Sequence, residues 1–112
     1  MEISVSLKNL NENSIDTVIV KDYEDKSCFT YVDNDGYNCE MCIYNDGICF
    51  FRQTDDYLLE LYLKKYAYAK ITSAEGILKL DVKNVDFYQN GDILVVHYQV
   101  DDEDRQIEIK YY

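Results

Sequence analysis

Proline and tryptophan are absent from the 112 residues, histidine occurs once and glycine only four times. No run of about 18 apolar residues exists, which excludes a transmembrane helix. Basic residues are scarce: 11 Lys and Arg stand against 22 Asp and Glu, a net charge of −11. Binding to a phosphate backbone needs clustered Lys and Arg, so nucleic acid is excluded as a partner, and an anionic membrane surface would repel the chain. The acidic balance serves solubility. Met1-Glu2-Ile3-Ser4-Val5 lacks the basic and apolar regions of a secretory signal and alternates like a strand. Four cysteines without such a signal lead to an expectation of reduced thiols in the cytoplasm. The chain also lacks a Gly-rich phosphate loop, a nucleophile elbow and an HExxH motif, so no catalytic residue and no cofactor is assigned. His97, in Leu94-Val95-Val96-His97-Tyr98, has no serine or cysteine tied to it by spacing and reads as a strand histidine beside the core.

What is present is a set of turns. Each glycine follows an acid or an amide, in Asn34-Asp35-Gly36, Asn45-Asp46-Gly47, Glu75-Gly76 and Asn90-Gly91, between runs rich in β-branched and aromatic residues. Asp-Gly and Asn-Gly supply the positive φ that tight hairpins need. Residues 1–112 are one domain by length, and such a chain buries roughly 60–70% of its unfolded surface. About ten short antiparallel strands are expected, over residues 3–10, 14–22 (centred on Val18-Ile19-Val20), 27–33, 37–44, 48–53, 58–63, 66–72, 77–87, 92–100 and 105–112. Even spacing with turn signals predicts an all-β sandwich or barrel. The segment from Tyr57 to Lys65 tolerates a helix as well as a strand; the alternation of Tyr66-Ala67-Tyr68-Ala69 favours strand.

Register follows from loop length. A three-residue loop Asn45-Asp46-Gly47 puts Tyr44 opposite Ile48, Met41 opposite Phe51 and Glu40 opposite Arg52 as a surface ion pair. The same rule at Asn34-Asp35-Gly36 sets Phe29 and Tyr31 opposite Met41 and Cys39. The expected inner face is Phe29, Tyr31, Cys39, Met41, Ile43, Cys49 and Phe51, with Phe50 outside. A slip of one residue would turn each strand over.

Cys39-x-x-Cys42 resembles half a zinc site, but no turn breaks Asn38-Cys39-Glu40-Met41-Cys42, and strand residues three apart point to opposite faces. No metal is assigned, and all four cysteines are expected to be thiols. The register does place Cys28 across from Cys42 on the outer face, a pair able to oxidise. Asp33-Asn34-Asp35-Gly36 fails as an EF-hand because its twelfth position would be Cys42 rather than Glu. Asp101-Asp102-Glu103-Asp104 reads as a solvated acidic loop. Twelve tyrosines are an unusual load. Inward ones would fill a small barrel or line a cavity for one ligand.

The order Ile48-Cys49-Phe50-Phe51-Arg52, Glu75-Gly76-Ile77-Leu78-Lys79-Leu80, Asn90-Gly91-Asp92-Ile93, Tyr98 and Ile107-Glu108-Ile109-Lys110-Tyr111 resembles the YwiB-like bacterial proteins of unknown function. The resemblance implies an up-and-down calycin-like (lipocalin-like) barrel and a bacterial cytoplasmic setting, and no reaction. Together these readings lead to an expectation of a non-enzymatic barrel binding a small, partly apolar or aromatic ligand through Tyr31, Met41, Phe51, Tyr68 and Tyr98. The alternatives are an interaction module with a tyrosine-rich face, with a homo-oligomer among the partners it allows, and an enzyme whose site carries no familiar motif.

Overall fold

The computed structural model describes residues 1–7 and 12–112. The fold is all-β, with eleven strands: β1 (Glu2–Leu7), β2 (Glu12–Thr17), β3 (Lys21–Asp22), β4 (Lys26–Val32), β5 (Asn38–Tyr44), β6 (Gly47–Gln53), β7 (Tyr57–Leu63), β8 (Tyr68–Ser73), β9 (Gly76–Asn90), β10 (Ile93–Val100) and β11 (Glu103–Tyr111). The ambiguous segment after Tyr57 is therefore strand. Residues 8–10 of the first expected strand lie outside the described residues. The expected second strand is broken at its centre: residues 18–20 separate β2 from β3.

That break shapes the molecule. All pairings are antiparallel and the sheet order is β2-β1-β11-β10-β9-β8-β7-β6-β5-β4-β3. The two edge strands, β2 and β3, are thus consecutive in the chain and joined by three residues. Three residues between Thr17 and Lys21 reach roughly 14 Å at most, so the sheet must curl until its edges approach. Bonds across the gap agree: Val32 N–H donates to Asp16 Oδ2 at 3.0 Å and Asn34 Nδ2 donates to the Asn13 carbonyl at 2.6 Å. The curl is helped by β9, which pairs with β8 through its first half and with β10 through its second. Between the halves Asn84 takes φ 54° and the β10 register shifts between His97 and Gln99, a bulge that bends the strand.

The β4–β5 hairpin has the expected register, with Phe29 opposite Met41, Tyr31 opposite Cys39 and Cys28 opposite Cys42. The β5–β6 hairpin does not. Its loop is two residues, Asn45-Asp46, so Tyr44 meets Gly47, Ile43 meets Ile48 and Met41 meets Phe50. Phe50 is buried at 1% exposure, while Phe51 and Cys49 move to the outer face. Two causes combine. Gly47 lies against β7, where an added Cβ would collide with the Leu63 carbonyl oxygen. Arg52 gains a buried partner by turning inward. Glu40 pairs with Phe51 rather than Arg52, so the expected surface ion pair does not form.

Alternate side chains of β1, β4–β8, β10 and β11 fill the inside. Ile3, Met41, Ile48, Leu63, Val96 and Ile107 are wholly buried. The acidic stretch at 101–104 is a tight turn rather than a loose loop. Asp101 and Asp102 sit at φ 52° and 63° between the paired residues Val100 and Glu103, the left-handed geometry of a two-residue type I′ hairpin. Aspartate tolerates that region better than most side chains.

Candidate functional site

Of the five residues expected to contact a ligand, the structure brings three to the interior. Tyr31 and Met41 pack in the core at 4% and 0% exposure, and Tyr98 lies on the same inner face at 6%. Burial pushes the Tyr98 phenol up to about 12, with the charge of Arg105, its cross-strand partner, acting the other way. Phe51 and Tyr68 lie instead on the outer face, which corrects their expected inward placement. The reason is register: the inner set of β6 is Ile48, Phe50 and Arg52.

Outside, the ladders of β6, β7 and β8 align Cys49 with Tyr62 and Tyr62 with Tyr68, next to a row of Phe51, Glu60 and Lys70. The rings touch. Phe51 meets Tyr62 edge-on at 5.7 Å between centroids, and Tyr62 lies 4.6 Å from Tyr68. Tyr62 donates its hydroxyl to Glu60 Oε1 at 2.8 Å, and Lys70 Nζ is 3.8 Å from the other oxygen of that carboxylate. Lys79 Nζ sits 4.3 Å above the Tyr68 ring, within cation–π range. Burial, then the hydrogen bond and charge of Glu60, raise the Tyr62 phenol far above its ordinary range. This row of three touching, half-buried rings edged by charge spans β6, β7 and β8. Phe51 and Tyr68 were expected from the sequence to contact a ligand inside the barrel. Tyr62 was not, although alternation through Glu60 and Tyr62 was the signal that could have found it.

A second polar cluster stands at the inner rim. Arg52 Nε donates to Asp33 Oδ2 at 2.7 Å, with side-chain exposures of 12% and 2%. Arg52 also donates to Tyr57 Oη at 3.1 Å and Asp35 Oδ2 at 3.3 Å, and lies over the Tyr37 ring. The other Asp33 oxygen accepts the N–H groups of Asp35 and Tyr37 at 3.0 and 2.9 Å. Burial by itself would raise the Asp33 carboxyl; the Tyr37 and Arg52 hydrogen bonds outweigh it and hold the group below its usual value. With both oxygens engaged, this pair is a structural clip between the β4–β5 loop and β6.

The cysteines divide by face. Cys28 and Cys42 form a disulfide across β4 and β5, which corrects the expectation of four thiols. Cross-strand neighbours at a Cα separation of 4.2 Å are close enough for their sulfurs to bond. Cys49 lies directly opposite Cys42 on the other side and keeps its thiol. Burial raises the Cys49 thiol against the pull of Lys64 and Lys26. Cys39 faces inward, its Sγ 3.9 Å from Asp33 Oδ2. No group of three or more His, Cys, Asp or Glu side chains suited to a metal occurs among the described residues. His97 lies exposed on the outer face with its ring stacked on Tyr88 at 6.0 Å.

No family model, curated protein or solved structure matches the chain. No helix among the described residues is long and apolar enough to cross a membrane.

Proposed function

We propose that the protein is a non-enzymatic binding module of the YwiB-like, calycin-like kind, working in the bacterial cytoplasm, that engages a protein partner through the outer face of β6–β8. The observation that carries this is the contiguous row Phe51–Tyr62–Tyr68, with ring separations of 5.7 and 4.6 Å, on a barrel whose interior positions are occupied by side chains. Half-buried aromatic rings flanked by charged groups are the composition that binding surfaces favour. Lys70, Lys79 and Glu60 supply the polar rim. A second copy of the chain is one form the partner can take.

A second reading keeps the small, partly apolar ligand. Leu59, Ile71 and Leu78 are paired in register on the inner face, and Leu78 is 54% exposed. That leaves an apolar strip at the rim of the barrel, beside the interior Tyr31, Met41 and Tyr98.

Titration of labelled protein with indole and with N-acetyltyrosinamide, followed by amide chemical shifts, separates the two readings. Shifts concentrated at Phe51, Tyr62 and Tyr68 support the outer face. Shifts concentrated at Leu78, Ile71 and Tyr31 support the inner ligand and count against the first reading.

A further inference from the structure

Four residues stand in one line across the outer face of β3, β4, β5 and β6: Lys21 pairs with Cys28, Cys28 with Cys42, and Cys42 with Cys49. We propose that this line is a thiol–disulfide exchange site, in which the Cys49 thiolate attacks Cys42 and transfers reactivity to Cys28, which then reacts with an external disulfide.

The alignment suits the reaction. Attack on a disulfide sulfur places the incoming and leaving sulfurs on opposite sides of it, and Cys42 stands between Cys49 and Cys28. The spacings also allow both bonded states. The Cα separation of 4.2 Å marks Cys28 and Cys42 as a non-hydrogen-bonded pair. On an antiparallel strand a residue points both backbone groups to one side, so Cys42 and Cys49 are a hydrogen-bonded pair, with Cα atoms about 5.5 Å apart. Disulfides usually span Cα distances of about 4.4–6.8 Å; the Cys28–Cys42 pair sits just below that range and the spacing of a hydrogen-bonded pair falls within it.

The step balances without a further reagent. Cys49 gives up its proton to a base in solution, a step that its burial opposes, the Cys49–Cys42 bond forms as the Cys42–Cys28 bond breaks, and the electron pair leaves on Cys28. Lys21, opposite Cys28, and Lys26, two residues before it on β4, bring positive charge to this line, and Glu40, with Oε1 3.6 Å from the Cys42 Sγ, brings negative charge. The residues differ in access. Cys49 and Cys42 are 5% and 4% exposed, whereas Cys28 is half-buried; Cys28 and Cys42 both border a groove of about 190 Å³ with Lys21, Tyr23, Lys26 and Glu40. Exchange therefore moves a thiol from a covered position to an open one. The molecule that reacts there is a low-molecular-weight or peptide disulfide: the Cys28 thiolate attacks one of its sulfurs and releases the other as a thiolate. Proteins of reducing compartments that carry a disulfide use it transiently, in catalysis or sensing.

The test incubates the native, unreduced full chain with bis(carboxynitrophenyl) disulfide, quenches in acid and cleaves after acidic residues without reduction. Asp33, Glu40 and Asp46 then separate Cys28, Cys42 and Cys49 onto different peptides. The expected product carries the aromatic thiol on Cys28 and a Cys42–Cys49 bond, at a rate independent of protein concentration. Cys49→Ser should lose labelling at Cys28. Cys28→Ser, oxidised with glutathione disulfide, should yield the Cys42–Cys49 bond. Label confined to Cys49 with the Cys28–Cys42 bond intact overturns the proposal, as does Cys28→Ser that leaves Cys42 and Cys49 unlinked. Should Cys49→Ser fail to fold, the wild-type product and Cys28→Ser still decide.

Discussion

Arg52 and Asp33, nineteen residues apart, meet at 2.7 Å inside the rim of the barrel. Arg52 belongs to β6 and Asp33 to the loop after β4, so the pair fixes that loop and also commits β6 to the face that carries Phe50 inward. A buried pair broken on one side leaves an uncompensated charge, at a cost of about 3–5 kcal/mol. Arg52→Leu and Asp33→Asn should each lose stability of that order in denaturant titrations, and the double variant should lose less than the sum of the two. Additive losses would mean that the two groups act independently.

The same pair sets an acid limit. The Asp33 carboxyl is held below its unfolded value by the Tyr37 and Arg52 hydrogen bonds against the opposing effect of burial. A depressed carboxyl contributes stability that is complete above the unfolded pKa of about 3.9 and is lost as pH falls through the folded one. Stability should therefore decline below about pH 4, and less steeply in Asp33→Asn than in the wild type. Equal acid slopes for the two proteins would contradict the assignment.

Gly47 is required by space. A Cβ there would strike the Leu63 carbonyl oxygen, and a backbone atom cannot swing aside. Gly47→Ala should destabilise by about 1–3 kcal/mol or more, the usual range for overpacking. Asp102→Gly should do the opposite. At φ 63° a residue without Cβ relieves strain worth roughly 1 kcal/mol. Thermal melts of the two variants should shift in opposite directions.

Thiol counting separates the cysteine faces. Titration of the denatured, unreduced protein should find two thiols, from Cys39 and Cys49, with Cys28 and Cys42 held in the disulfide. Four would mean that the cross-strand bond does not form.

Much of this fold was legible in the sequence because hairpins are local. The strand positions from β4 onward, the β4–β5 register and the facing of Cys28 and Cys42 follow from alternation and loop length. What was not legible depended on distant partners. The loop at Asn45-Asp46 is chosen by the approach of β7 to Gly47, and Leu63 lies sixteen residues on. Arg52 was read as a surface group beside Glu40 because its true partner, Asp33, sits across another hairpin. Those two errors turned β6 over, and with it Phe51 and Cys49. Tyr31, Met41 and Tyr98, expected as ligand contacts, lie in the interior because β4, β5 and β10 kept their expected faces.

The face assignment of β6 underlies the outer aromatic row and the cysteine line alike, and adjacent truncations test it directly. In denaturant titrations Phe50→Ala should cost about 3–5 kcal/mol, as for a buried phenylalanine, while Phe51→Ala should cost much less. The reverse order would return Phe51 to the core, move Cys49 away from the disulfide and dissolve the aromatic row on the outer face.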